Sequence, residues 1–274
     1  MADVKKTFFC IGCLQHMKMP IPLRGPLAWP FRVFGIKPSQ MNPNLCTICE
    51  VMFTKVKKSK QISIDSTIMF ADLRGYTSMF EASESDKIMS LLHDFYDTCS
   101  NEVWARGGII NKFIGDCVLA IFNFPIMQER HGRAAVLAAL ELLRQCVEKT
   151  WLDCTSDPNM CIPVCVGVGI HSGKTSIGEV GSSYKDFTAI GPVVNLASRL
   201  QSAAKPGEIL ITPQVYSEVQ DIFPNLNPKT ISIKGFKDPV EVYSIDQQVI
   251  MQAKEAIDRA LGPSGGEKSD HASA

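Results

Sequence analysis

Ile68-Met-Phe-Ala-Asp-Leu-Arg-Gly-Tyr-Thr77 opens with four apolar residues, places one carboxylate, Asp72, at the end of that run, and turns at Gly75. The run reads as a buried strand over Ser66–Asp72, and Thr77 or Ser78 beyond the turn can cap a following helix. A strand that delivers an acid to its carboxyl end, next to a helix N-terminus, suits a metal ion and a phosphate. Taken alone, a strand-end aspartate is more often structural than functional. The flanking chain has to supply the rest.

Downstream, Ser78 to about Trp104 carries an apolar face of Met79, Ile88, Leu91, Leu92 and Phe95, which predicts a helix ended by Gly107-Gly108. Ile109–Phe113 and Cys117–Phe122 flank Gly115-Asp116, a hairpin signal. Glu129–Thr150 is a second helix, and Pro163–His171 a buried strand. Thr175–Gly181 and Asp186–Ile190 read as the arms of a further hairpin, and Pro192 opens a helix to about Ala203. Glu208–Thr212, Thr230–Lys234 and Val240–Ile245 are strands, with a helix after Pro213. The order predicts an α+β fold, a ferredoxin-like βαββαβ sandwich with extra C-terminal strands and helices over residues 64–248. Residues 249–274 form a tail with a short helix to about Leu261 and a polar, disordered end.

Upstream, residues 1–50 are set apart by Pro20, Pro22, Pro26, Pro30, Pro38 and Pro43, which forbid long helices. Cys10-Ile-Gly-Cys13 and Cys46-Thr-Ile-Cys49 bracket the segment. Two such pairs can place four thiolates around one tetrahedral ion, which makes Cys10, Cys13, Cys46 and Cys49 candidate ligands for Zn2+, iron or an iron–sulfur cluster. Residues 51–63, with Lys55, Lys57, Lys58 and Lys60, read as a basic linker or short helix rather than a nucleic-acid patch.

The 274 residues carry 28 basic and 28 acidic side chains, which gives no reason to expect a nucleic-acid or membrane-surface partner. No apolar run of about eighteen residues predicts a transmembrane helix. Phe8–Leu14 is too short and too rich in cysteine for a signal peptide. A soluble, cytoplasmic protein with reduced thiols is the expectation.

In the predicted fold the first strand and the hairpin are sheet neighbours, so Asp72 and Asp116 can converge on Mg2+ or Mn2+ bound to a nucleoside triphosphate. Four segments then resemble the signatures of the class III nucleotidyl cyclase catalytic domain. They are Phe70-Ala-Asp-Leu-Arg-Gly-Tyr-Thr77, Asn111-Lys-Phe-Ile-Gly-Asp116, Val168-Gly-Ile-His-Ser-Gly173 and Phe187-Thr-Ala-Ile-Gly-Pro-Val-Val-Asn-Leu-Ala-Ser-Arg199. The resemblance covers about residues 64–246. It implies a two-metal site at Asp72, Leu73 and Asp116, with the backbone of Arg74, Gly75, Tyr76 and Thr77 beneath the triphosphate. It also implies Asn195 and Arg199, four apart on one helix face, as the pair that orients the ribose and stabilises the transition state. Lys234, with Lys237 as a neighbour, matches the lysine that reaches the terminal phosphates. Pro192 stands where many members have aspartate, and Gly167 lies where some carry a basic residue.

Base choice follows from donors and acceptors. Lys112 can donate to adenine N1, and the Thr188 hydroxyl can accept from the adenine amino group, whereas guanine asks for a carboxylate at position 112. The resemblance associates such a pair with adenylyl cyclases. It therefore implies conversion of ATP to 3′,5′-cyclic AMP and pyrophosphate in a homodimer with two interfacial sites, the apolar stretches beside Gly178–Gly181 and the hairpin to Ile190 being candidate interface. A guanylyl cyclase and a catalytically silent nucleotide-binding dimerisation or sensor module are the alternatives.

Overall fold

The computed structural model describes residues 6–55, 62–75, 85–148, 165–181, 183, 186–236 and 238–262. Residues 56–61 of the linker expected over 51–63, the helix start at Ser78, the loop around Pro158, Lys237 and the tail beyond Gly262 lie outside the described residues.

Strand β1 (Ile62–Arg74) leads into helix α4 (Ser85–Ala105), the hairpin β2 (Ile109–Ile114) and β3 (Cys117–Phe122), and helix α5 (His131–Glu148). Strand β4 (Cys165–Val180) folds back through β5 (Asp186–Ile190) into helix α6 (Pro192–Ala203). Then follow β6 (Ile209–Ile211), the short helix α7 (Pro213–Tyr216), β7 (Lys229–Ile231), β8 (Val240–Ile245), and helices α8 (Gln247–Gln252) and α9 (Lys254–Leu261). The sheet order is β2-β3-β1-β4-β6-β8-β7, with β5 paired to β4. β1 is antiparallel to both β3 and β4, and β2 to β3, which is the ferredoxin-like arrangement extended by three strands beyond β4.

Two expectations are corrected. Pro163–His171 and Thr175–Gly181 are not separate strands: β4 runs unbroken through Gly173, because β1 extends well past its apolar centre and pairs with β4 from Ile62↔Ile177 to Arg74↔Cys165. Thr67 and Ser172, polar residues inside this ladder, pair with each other. Thr67 Oγ1 lies 2.6 Å from His131 Nδ1 and 2.5 Å from Ser172 Oγ. Likewise Thr230–Lys234 shortens to β7, since Ile233 and Phe236 close a turn (3.1 Å) around Gly235 at φ +92°, so Lys234 sits in that turn.

Side chains alternate across β1. Met69, Ala71 and Leu73 face α4 and α5, in a core with Ile88, Leu91, Phe95, Val136 and Leu140. Ile68 and Phe70 face the other way, toward Ile109, Leu119, Ile121, Val193 and Ala197. Asp72 continues this second row.

The N-terminal residues complete the second core. They form three short helices, α1 (Ile11–Met17), α2 (Trp29–Val33) and α3 (Thr47–Lys55), with prolines at the start of the 3-10 turn Pro26–Ala28 and of α2. Ile21, Leu23, Leu45 and the four paired cysteines share one buried cluster with Ile109, Phe124 and Ile126. Each fully buried aliphatic or aromatic side chain there is worth about 1.5–3 kcal/mol. At the other end of the chain Asp246 caps α8 by accepting from the Val249 amide (3.0 Å), and Ile257 of α9 is buried in the first core. No described helix is long and apolar enough to cross a membrane.

Candidate active site

The site grows from the carboxyl end of β1. Asp72 stands opposite Cys117 in the β1–β3 register, and the Leu73 amide donates to the Asp116 carbonyl (3.3 Å). Asp72 and Asp116 are thus brought together. The turn that carries Asp116 uses Gly115 at φ +60°, a conformation that favours glycine. It is propped by α4: the Tyr96 hydroxyl donates to the Gly115 carbonyl, and the Tyr96 ring stacks on Phe113 with centroids 4.0 Å apart.

Burial, and next the Asp116 charge, push the Asp72 carboxyl up to about 6, against the opposing influence of Arg74 and Gln201. The neighbouring Cys117 thiol is pushed up to about 12 by burial and by the same two carboxylates. A pair of acids whose charges oppose one another in a half-buried position is the environment a hard divalent cation relieves, and oxygen donors suit Mg2+ or Mn2+. The residues fit such an ion.

The Arg74 side chain, which the sequence reading did not use, folds across Gly167. Its Nη1 lies 3.8 Å from Asp72 Oδ1, its Nη2 donates to the Gln201 carbonyl, and its buried Nε has no partner among the described residues. A Cβ at Gly167 would fall 2.2 Å from Arg74 Nε, so only glycine admits the guanidinium there. Gly75 follows at φ +79°, while Tyr76 and Thr77 lie outside the described residues.

Arg74 thereby ties the carboxylate strand to α6, the helix of Asn195 and Arg199. That helix crosses β4 at Gly169, where a Cβ would lie 2.1 Å from the Gln201 amide nitrogen and 2.4 Å from the Ala197 carbonyl oxygen. Val193, Ala197 and Leu200 are buried beneath it, and Asn195 and Arg199 are exposed on its outer side. Among the described residues neither exposed side chain makes a hydrogen bond or ion pair, to Asp72 or Asp116 or to any other group.

Lys112 and Thr188 lie where β2 approaches β5, each with a partner of its own. Lys112 is ion-paired with Asp186, Thr188 Oγ1 donates to Asn111 Oδ1 (3.2 Å), and Asn111 Nδ2 donates to the Phe187 carbonyl (3.0 Å). Asp186 is the residue that sequence reasoning missed. The available signal was its position two before Thr188, hence on the same face of β5. Lys234 is exposed in its turn.

At the N-terminus Cys10, Cys13, Cys46 and Cys49 are all buried, with sulfurs within 4.8 Å of one another. Each pair sits at a helix start rather than on a free turn: Cys10 caps α1, and Cys46 immediately precedes α3.

The geometry is that of an α+β sheet with paired carboxylates at a strand end. Residues 55–247 match the adenylate and guanylate cyclase catalytic domain. The chain belongs to that family of nucleotidyl cyclase catalytic domains. It is 33% identical over 187 residues to an adenylate cyclase of Anabaena cylindrica, covering 65% of this chain and 36% of that protein. It is also 33% identical over 186 residues to the terminal-differentiation-specific adenylate cyclase of Dictyostelium discoideum, covering 65% of this chain and 8% of that protein. The chain thus spans little more than a third of these curated relatives at most. Among solved structures, the adenylyl cyclase CyaB of P. aeruginosa superposes with a TM-score of 0.59 at 32% identity, over 68% of this chain and 95% of that one. The guanylyl cyclase Cya2 superposes equally well, TM-score 0.59 at 27% identity, over 68% and 93%. Cyclases of both base specificities are therefore among the relatives.

Proposed function

We propose that this protein is an adenylyl cyclase that forms 3′,5′-cyclic AMP and pyrophosphate from ATP, with each active site shared between two copies of the chain. The observation that carries the choice of base is Lys112, held by Asp186 beside Thr188. The ammonium would donate to adenine N1 where guanine asks for a carboxylate, and the Thr188 hydroxyl would accept from the adenine amino group.

Asp72 and Asp116 would hold two Mg2+ or Mn2+ ions beside Leu73, and bound ions would supply Lewis-acid activation of the ribose hydroxyl and neutralise phosphate charge. By the resemblance, the segment from Arg74 to Thr77 would lie beneath the triphosphate. Asn195 orients the ribose so that O3′ lies in line with the α-phosphorus and the leaving pyrophosphate oxygen. Arg199 donates to the phosphoryl oxygens as charge builds on the five-coordinate phosphorus. Lys234 pairs with the departing pyrophosphate. The O3′–phosphorus bond forms, the bond to the pyrophosphate oxygen breaks, and the hydroxyl proton leaves to solvent.

That Asn195 and Arg199 form no hydrogen bond or ion pair with the carboxylates among the described residues supports the shared site. A two-fold dimer supplies the carboxylates from one copy and Lys112, Thr188, Asn195 and Arg199 from the other, giving two equivalent centres. A cytoplasmic enzyme fits the neutral charge balance and reduced thiols. Turnover of ATP and GTP by the purified chain, with Mg2+ and with Mn2+, tests the proposal. Cyclic AMP as the dominant product is expected; cyclic GMP would establish the guanylyl alternative, and no cyclic product would leave a silent nucleotide-binding module.

A further inference from the structure

We infer that Cys10, Cys13, Cys46 and Cys49 form a site for a single tetrahedral divalent ion, Zn2+ or Fe2+, that locks the N-terminal helices onto the catalytic sheet. The sulfur spacing decides between one ion and a cluster. Four thiolates about 2.3 Å from a tetrahedral ion stand about 3.8 Å apart. Here Cys10 and Cys49 sulfurs are 3.6 Å apart, and Cys13 is 3.4 Å from both Cys46 and Cys49. An iron–sulfur cluster divides its cysteines among separate irons and spreads the sulfurs well beyond a single ion's edge. All four sulfurs lie within 4.8 Å of one another, which leaves no room for one.

The surroundings are built for thiolates. Backbone amides of Cys13 and Cys46 donate to Cys10 Sγ (3.4 and 3.2 Å), and the Cys49 amide donates to Cys46 Sγ (3.4 Å). Such outer donors orient sulfur ligands and spread their charge. Gly12, inside the first pair, is required by the closeness of the second: a Cβ there would lie 2.8 Å from Cys49 Sγ and 2.9 Å from Leu45 Cδ2. The ligand set contains only sulfur, which selects soft to borderline metals over Mg2+ or Ca2+.

The segment between the two pairs grips the catalytic domain. The Met41 carbonyl accepts from Trp104 Nε1 (2.5 Å) and from the Ile110 amide (3.2 Å), and Asn42 Nδ2 donates to the Gly108 carbonyl (2.8 Å). On the α1 side, His16 Nε2 lies 2.7 Å from the Pro125 carbonyl, and Gln15 Oε1 accepts from the Met127 amide (3.0 Å). The ion closes the loop that presents Met41 and Asn42 to the start of β2, so occupancy sets how firmly β2 is anchored. That β2 also carries Lys112 makes the ion a control point for nucleotide turnover, a consequence that rests on the proposed function; the metal site itself does not.

The full-length chain, purified under reducing, oxygen-free conditions, is analysed for metal and sulfide, then stripped and titrated with Co2+ alone. One zinc or iron per chain, no sulfide, and the visible bands of tetrahedral cobalt thiolate saturating at one equivalent are expected. Two disulfides without metal, several irons with sulfide, or cobalt spectra lacking thiolate character would overturn the site. Amide hydrogen exchange with and without the ion tests the lock. Exchange at Ile110 at least about tenfold faster in the stripped chain is expected, and equal exchange would overturn it. Because the wild-type chain is used throughout, misfolding of a cysteine variant does not enter.

Discussion

Replacing Asp72 with asparagine keeps the side-chain shape and removes the charge, and the structure predicts that the metal-free protein becomes more stable. Burial and the Asp116 carboxylate raise the Asp72 carboxyl from an ordinary 3.8 to about 6. A rise of that size corresponds to about 3 kcal/mol. The side chain is 22% exposed, and screening through that opening reduces the figure to about 1–2 kcal/mol. The folded state binds the Asp72 proton more tightly than the unfolded state does. The ionised carboxylate therefore costs stability that is fully lost above pH 6, partly regained as the pH falls from 6 toward 4, and wholly regained below that. Thermal unfolding followed by circular dichroism, without added Mg2+ or Mn2+, should place the Asp72→Asn variant about 3–6 °C above wild type at pH 7.5, with the gap closing toward pH 4. Added Mn2+ should raise the wild-type midpoint and leave the variant unchanged. Equal midpoints at pH 7.5, or a gap independent of pH, would refute the placement of Asp72 in a half-buried site beside a second acid.

Gly169→Ala drives a methyl into the backbone of α6, 2.1 Å from the Gln201 nitrogen; denaturant unfolding should show a loss of about 1–3 kcal/mol, together with a fall in turnover as Asn195 and Arg199 shift. Lys112→Glu combined with Thr188→Cys should lower kcat/KM for ATP at least about tenfold and raise that for GTP, by the loss and gain of base hydrogen bonds; unchanged preference would remove Lys112 from base selection. Mixing Asp116→Ala with Asn195→Ala chains, each inactive alone, should restore one intact site per mixed dimer and measurable cyclic AMP synthesis. Silence of the mixture would show that each site is complete within one chain.

Some of this was legible in the residues and some was not, for identifiable reasons. The sandwich follows from hydrophobic spacing and from turns that glycine dictates, as at Gly115-Asp116. The unbroken β4 was hidden because nothing local reveals that β1 stays paired across from Ser172–Lys174. The closeness of Asp72 and Asp116 was readable from topology, whereas the Arg74 bond to α6 was not, since it ends on the Gln201 main-chain carbonyl, which has no side-chain signature. Asp186 opened the expected strand Asp186–Ile190 without a role, because its partner Lys112 reaches it only when β2 and β5 meet in the fold. The cysteine pairs announced themselves by spacing; their burial against Ile109 and Phe124 depends on contacts across the fold that spacing does not encode.

That shared burial bears on how the chain can be divided. A fragment beginning at Ile62 would keep every catalytic candidate but strip the cover from Ile109, Phe124 and Ile126, turning interior into a continuous oily surface. The same cut would leave the amide of Ile110 and the indole of Trp104 without their Met41 acceptor. The compositional seam near residue 50 is therefore not a seam in packing: the cysteine-bearing segment and the cyclase domain share one buried cluster.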